Sequence, residues 1–185
     1  MSIDTREVLV RLADLKDLND KQIVEDLHLI MQAEGRTRYG LKQLSETDIV
    51  VHRQGICKYL QRTEFESVIF LAINDQNTVI GIAICQSVLS TWALQRVLNV
   101  HDLFVKVAAR RQGIARRLVT EIANWCKANS YACIKLETTL DNLAARKLYQ
   151  SLGFSGVFLD VLNPDFPNWE SVRSAVIQMR LNFDL

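Results

Sequence analysis

The stretch from Asn99 to Phe154 constrains this chain more than any other. It opens on an apolar strand, RVLNVHDLFV, that ends at Val105 and soon enters a basic loop, Arg110-Arg111-Gln112-Gly113-Ile114-Ala115-Arg116-Arg117. Ile114, Leu118, Ile122 and Cys126, with Val119 and Ala123 beside them, then fall on one face of a helix. A strand, ACIKLET, follows, and after it a helix that carries Asn142, Ala145 and Tyr149 and stops at Gly153. Strand, glycine loop and helix in succession describe an anion-binding turn. The first backbone N–H groups of a helix have no partner within it, and the helix dipole places partial positive charge there. Gly113 and Ala115 remove side-chain bulk, so a phosphate can approach those groups while the arginines add charge. An Arg-rich loop is also what a solvated surface looks like. The loop lacks GxxxxGK[ST] and GxGxxG, which disfavours an NTP-binding P-loop and leaves a dinucleotide fold without its fingerprint.

The loop does not stand alone. R-x-x-G-x-A after a strand is followed further on by N-x-x-A-x-x-L-Y-x-x-x-G-F, and in this order and spacing the two resemble the GNAT superfamily of acyl-CoA-dependent N-acetyltransferases. The resemblance extends over most of the chain. It implies an α/β (α+β) fold: a mixed, mostly antiparallel sheet of six to seven strands, flanked by about four helices. The fourth and fifth strands of that fold splay apart, and acyl-CoA enters the resulting cleft.

Length suits the same conclusion, since 185 residues fill one domain, 1–185, with a full core. A net charge of +1 argues against a dedicated nucleic-acid binder. Cys57, Cys85, Cys126 and Cys133 show no CxxC pairing and sit in apolar surroundings, so they read as reduced core residues rather than zinc ligands or disulfides. The first residues, MSIDTREV, are too polar for a secretory signal, and no apolar run approaches the roughly 20 residues that span a bilayer. The expectation is a cytoplasmic protein with no metal and no membrane partner.

Taken in order, Val8 to Leu12 suggests a first strand. Asn19 or Asp20 can cap a helix with Ile23, Leu27, Ile30 and Met31 on one face, ended by Gly35. Arg36 to Leu44 reads as a loop, and Ser45-Glu46-Thr47-Asp48 as a cap for a second helix with Ile49, Ile56 and Leu60 inward. SVIFLAI and TVIGIAICQSV flank the turn-rich Asn74-Asp75-Gln76-Asn77, and their continuous apolar runs predict strands buried on both faces. SGVFLDVL is a further strand, Asn163 to Trp169 an irregular excursion holding both prolines, and SAVIQMRL a last strand. Element order β-α-α-β-β-β-α-β-α-β-β places helices over a mixed sheet.

Acetyl transfer from a thioester to an amine needs a neutral amine, a polarised carbonyl and a donor for the departing thiolate. The resemblance implies that Arg110, Arg111, Gln112, Gly113, Ile114, Ala115 and Arg116 hold the pyrophosphate of acetyl-CoA. It gives Leu103, Phe104 and Val105 the pantetheine arm through their backbone, and places Asn142, with Ala145 after it, near the thioester. Without a cofactor, Phe104 and Val105 are core strand residues and Asn142 is a helix N-cap. Tyr149, seven positions after Asn142, faces the same side, and family members commonly use a tyrosine here as general acid. Its alternative is a half-buried phenol bonded to a carbonyl.

The base is open. Family members often carry a glutamate at sites that match Asn99 or His101, and this chain has none there. His101, Asp102 and ordered water are the candidates; a histidine's ordinary pKa of about 6.5 suits the task. A lone strand His or Asp is more often a structural group. The acceptor expected is a primary amine of a small molecule, since LSTWALQRVLNVHDLFV looks like bacterial small-molecule members such as the diamine acetyltransferase group. Acetylation of a protein or an aminoacyl-tRNA competes with it, and so does a catalytically silent acyl-CoA sensor. Family members are often dimers, and a homodimer falls within the expectation. Acceptor pockets in this fold would draw here on Arg36, Arg38, Trp92, Asp165 and Trp169, a set with no decisive sign.

Overall fold

A computed structural model describes residues 8–14, 16–17, 20, 22–30, 55, 58, 67–91, 94–139, 141–158 and 176–183. Among these the strands are β1 (Leu9–Leu12), β2 (Ser67–Ile73), β3 (Val79–Ser90), β4 (Gln95–Val105), β5 (Cys133–Thr139), β6 (Ser155–Phe158) and β7 (Val176–Asn182). Helices accompany them: α1 over residues 22–30, α2 (Ile114–Ala128) and α3 (Leu143–Ser151), with a 3-10 turn at Val107–Ala109; Gly55 and Lys58 are helical as well. The strands pair in the order β1-β2-β3-β4-β5-β7-β6, a seven-stranded sheet. Pairing is antiparallel for β1–β2, β2–β3, β5–β7 and β6–β7, and parallel for β4–β5. This is the mixed, mostly antiparallel sheet expected from the sequence. Most of the second expected helix, with Ile49, Ile56 and Leu60, lies outside the described residues.

The chain divides into two compact units, residues 1–87 with 102–122 and residues 88–101 with 123–185. In the first unit, Asp20 starts α1 by accepting the N–H groups of Gln22 at 2.8 Å and Ile23 at 3.1 Å. Asp20 is therefore the cap, as aspartate's short acceptor side chain favours. Ile23, Leu27 and Ile30 of α1 pack on Ile69, Leu71 and Ile73 of β2 and on Val79, Ile82 and Ile84 of β3. Strands β2 and β3 are buried along most of their length, as their unbroken apolar runs demand. The alternate residues of β3 face α2. A Cβ added to Gly81 would sit 3.1 Å from Ile114 Cγ2, 3.2 Å from Leu118 Cδ1 and 3.3 Å from the Phe104 carbonyl oxygen. Gly81 thus lets the first turns of α2 lie close on the strand.

In the second unit, β5 pairs with β4 on one side and β7 on the other. Its alternation is plain: Ile134, Leu136 and Thr138 are buried, while Lys135 and Thr139 are partly accessible and Glu137 is exposed. Cys126 of α2 and Cys133 are buried free thiols, as is Cys85 of the first unit; Cys57 lies outside the described residues. Burial pushes the Cys126 thiol up to about 12, with Cys133 adding to the rise. Trp125 tilts against Tyr131 at 5.2 Å, and Tyr149 against Phe154 at 5.6 Å.

Candidate functional site

The sequence-predicted residues fall into two groups, one in each unit. Asp102, Leu103, Phe104, Val105 and the loop from Arg110 to Arg116 belong to the first; His101, Asn142, Ala145 and Tyr149 belong to the second. In the first group, β4 gives way at Lys106 to the 3-10 turn, closed by Ala109 N–H donating to Lys106 O at 2.8 Å. Lys106 N–H also donates to Ile80 O at 2.9 Å. Arg111 follows at φ 62° and Gly113 at φ 81°, both left-handed, and α2 begins at Ile114. The loop side chains are partly spent on shaping it. Arg110 Nε donates to Val105 O at 3.2 Å, and Gln112 Nε2 to Ala108 O at 3.0 Å. Ile114 is fully buried; its side chain belongs to the core, which leaves only its N–H for a ligand.

Gly113 leaves room for a pyrophosphate. A Cβ built there meets nothing within 4 Å, so the space beside the start of α2 is open. The positive φ of Gly113 is a backbone conformation that favours glycine whatever the space around it. Successive residues in left-handed and helical conformations turn their N–H groups into a concave, anion-binding array. Arg110, Arg111 and Arg116 are exposed or partly so around it, while Arg117 turns away and donates to the carbonyl of Val8. These residues fit the group.

The stem of this loop is braced by a contact that sequence reasoning missed. Asp26 on α1 is 3% exposed. Its Oδ1 accepts from Lys106 Nζ at 2.9 Å and its Oδ2 from Val79 N–H at 3.2 Å. One buried carboxylate therefore ties a helix, the start of β3 and the end of β4. Nothing in the local pattern marks Asp26, which occupies one polar position on an otherwise amphipathic helix.

In the second group, Asn142 caps α3 by accepting Ala145 N–H at 3.3 Å, the structural alternative weighed for it above. Tyr149 is 6% exposed, more enclosed than a half-buried phenol. His101 is exposed, and its Nε2 lies 3.3 Å from Asn99 Nδ2, which donates to it when that nitrogen carries no proton. Asp102 is partly accessible.

The register adds a residue that the search for a base on β4 passed over. β4 and β5 pair from Val97↔Cys133 to Val100↔Leu136, with Asn99 beside Lys135. Side chains alternate, so His101 lies on the face of Asn99, and Glu137 on the face of Lys135, which is the same face. The ladder stops at Val100↔Leu136, and His101 and Glu137 are the first residues past it. Glu137 is exposed, a carboxylate on a strand otherwise occupied by Cys, Ile, Leu, Lys and Thr. That alternation in ACIKLETT was the available signal. Among the described residues, no group of three or more His, Cys, Asp or Glu is placed to hold a metal ion. Among the described residues no helix is long and apolar enough to cross a membrane. Arg36, Arg38, Trp92, Asp165 and Trp169 lie outside them.

Known proteins match both the sequence and this architecture. A solved structure of a probable acetyltransferase superposes with a TM-score of 0.65 at 26% identity, over 80% of this chain and 89% of that one. The PaiA N-acetyltransferase from Thermoplasma acidophilum, solved in complex with coenzyme A, superposes at 0.66 and 15% identity, over 96% and 99%; at that identity it speaks for the fold. The [ribosomal protein bS18]-alanine N-acetyltransferase of Haemophilus ducreyi is 33% identical over 87 residues, 47% of this chain and 56% of that protein. The chain thus spans little more than half the length of that curated relative. Residues 31–154 match the acetyltransferase (GNAT) family, and with more than half of its length so matched, the chain belongs to that family.

Proposed function

We propose that the protein is an N-acetyltransferase that moves an acetyl group from acetyl-CoA to the primary amine of a small molecule. The observation that carries this reading is the loop ending at Gly113: two left-handed residues, open space and arginines at the start of α2. Bound acetyl-CoA supplies the activated acetyl group as a thioester. The chain's part is to bind, orient and move protons. The N–H groups at the start of α2, with Arg110, Arg111 and Arg116, hold the pyrophosphate. Leu103 to Val105 offer backbone groups to the pantetheine arm. On the face shared by Asn99 and Lys135, His101 and Glu137 are the groups able to take the proton from the acceptor's ammonium, and Asp102, on the adjoining position of β4, is a third candidate. Tyr149 donates its phenolic proton to the departing sulfur.

The bS18-alanine relative supports a second reading, in which the amine is a protein N-terminus. Free-CoA release across a panel of small amines, alongside a peptide with an N-terminal alanine, separates the two. Turnover of small amines alone upholds the proposal, and turnover of the peptide alone replaces it. Acetyl-CoA protection against thermal unfolding, with no release on any amine, would mean an acyl-CoA sensor.

A further inference from the structure

One row of side chains crosses the sheet of the second unit and has no part in the chemistry above. The register pairs Asn99 with Lys135, Lys135 with Arg180, and Arg180 with Ser155. Directly paired residues point the same way, so β4, β5, β7 and β6 line these four up on one face. His101 and Glu137 stand on that face, each two residues beyond its neighbour in the row.

Lys135 and Arg180 are both partly buried. Like charges directly opposite one another on neighbouring strands repel. Among the described residues, neither side chain has an ion-pair partner, and Glu137, on the same face, pairs with neither. Among the described residues the buried Nε of Arg180 has no acceptor. A guanidinium is permanently charged, and leaving one of its donors buried and unsatisfied is costly. Ser155 offers no relief, since its hydroxyl points to the Arg180 carbonyl at 3.4 Å. An anion placed over the row supplies what is missing: acceptor oxygens for the guanidinium fork and a countercharge for both cations.

We propose that Lys135 and Arg180 form a subsite for an anionic group, a carboxylate or phosphate, carried by the acceptor molecule. The proposal rests on the acetyl-transfer reading and narrows it. Two residues of extended strand cover about 7 Å, so the acidic group lies a few bonds from the amine that meets His101 or Glu137. Acceptors of this class are amino acids and amine phosphates. Polycationic amines are disfavoured by the same two charges.

The test uses the full chain, Arg180→Gln and Lys135→Gln, with Arg180→Lys as the variant that keeps the charge and loses the fork. Free-CoA release is measured on matched amines with and without a carboxylate or a phosphate. The wild type should favour the acidic member of a pair by at least tenfold in kcat/KM. Either Gln variant should cut that ratio at least tenfold through KM, Arg180→Lys should restore part of it, and acetyl-CoA Kd should stay unchanged. A ratio that the Gln variants leave intact overturns the subsite. A raised acetyl-CoA Kd assigns the row to the cofactor instead and overturns it equally. A second measurement is independent of turnover. With CoA saturating, inorganic phosphate at constant ionic strength should raise the wild-type Tm and leave that of Arg180→Gln where it was. No wild-type shift overturns the subsite, whereas a shift without turnover on any amine would keep the subsite and refute acetyl transfer.

Discussion

Gly113 separates backbone strain from ligand binding, because its structural position makes two different demands on one residue. Its φ of 81° lies in the left-handed region, where any other residue costs about 1–2 kcal/mol. A Cβ there meets no heavy atom within 4 Å, so Gly113→Ala adds no clash and should lose about 1 kcal/mol through conformation alone. For a chain of this size that shifts Tm by about 2–4 °C. Gly113→Asp pays the same strain and also fills the open space with a carboxylate. If the pyrophosphate occupies that space, the like charge is worth up to about 4 kcal/mol at 4 Å and an effective dielectric of 20. Relaxation of the loop reduces this, and a rise in acetyl-CoA Kd of at least tenfold, about 1.4 kcal/mol, is the firm expectation.

Scanning calorimetry on both variants should therefore give similar Tm losses, while titration calorimetry with acetyl-CoA separates them. Equal Tm losses with no change in the Kd of Gly113→Asp would refute the cradle and leave Gly113 as a turn glycine. A large Tm loss in Gly113→Ala would refute the geometry instead, because it would mean that the space is filled.

Gly81→Ala should cost about 1–3 kcal/mol by overpacking, since its Cβ would meet Ile114, Leu118 and the Phe104 carbonyl at 3.1–3.3 Å; a urea midpoint equal to wild type would contradict that packing. The folded Cys126 thiol is raised from 9.0 to about 12, so its burial stabilises the fold below the unfolded value and that contribution is lost as pH climbs from about 9 towards 12. Alkaline urea midpoints should fall less steeply in Cys126→Ala than in wild type. Tyr149→Phe keeps the ring against Phe154 and deletes only the hydroxyl, so kcat should fall about 10²-fold with acetyl-CoA Kd nearly constant. A near-normal kcat would make Tyr149 a packing residue.

The features legible in the sequence are those whose cause is local. Asp20 caps α1 because its acceptor and the N–H groups it serves are two and three residues apart. β2 and β3 were readable from unbroken apolar runs, and the start of α2 from a glycine set among arginines. Asp26 and Lys106 were not, since they stand 80 positions apart and only the packing of α1 on the sheet brings them to 2.9 Å. Gly81 looked like any glycine in an apolar strand, because the helix that needs its missing Cβ begins more than thirty residues later. Glu137 and the Lys135–Arg180 pairing required a register, and alternation within one strand carries no information about its neighbours.

Charge shows the same division between average and arrangement. The sequence balances 22 Lys and Arg against 21 Asp and Glu, and that near-neutral total gives no hint of an anionic ligand. Site potentials are set within a Debye length of about 8–10 Å, over which the total is irrelevant. Where the carboxylates sit therefore decides the matter. Asp17 is held by Arg11 through two contacts of 2.6 Å, which draw its carboxyl below the usual carboxylate range. Asp26 is held by Lys106. These anions brace the first unit, whereas Lys135 and Arg180 meet on the sheet face of β5 and β7, and Arg110, Arg111 and Arg116 flank the start of α2. A chain with a net charge of only +1 can therefore still gather cations at two places where the proposals above put anions: the pyrophosphate of one substrate and the acidic group of the other.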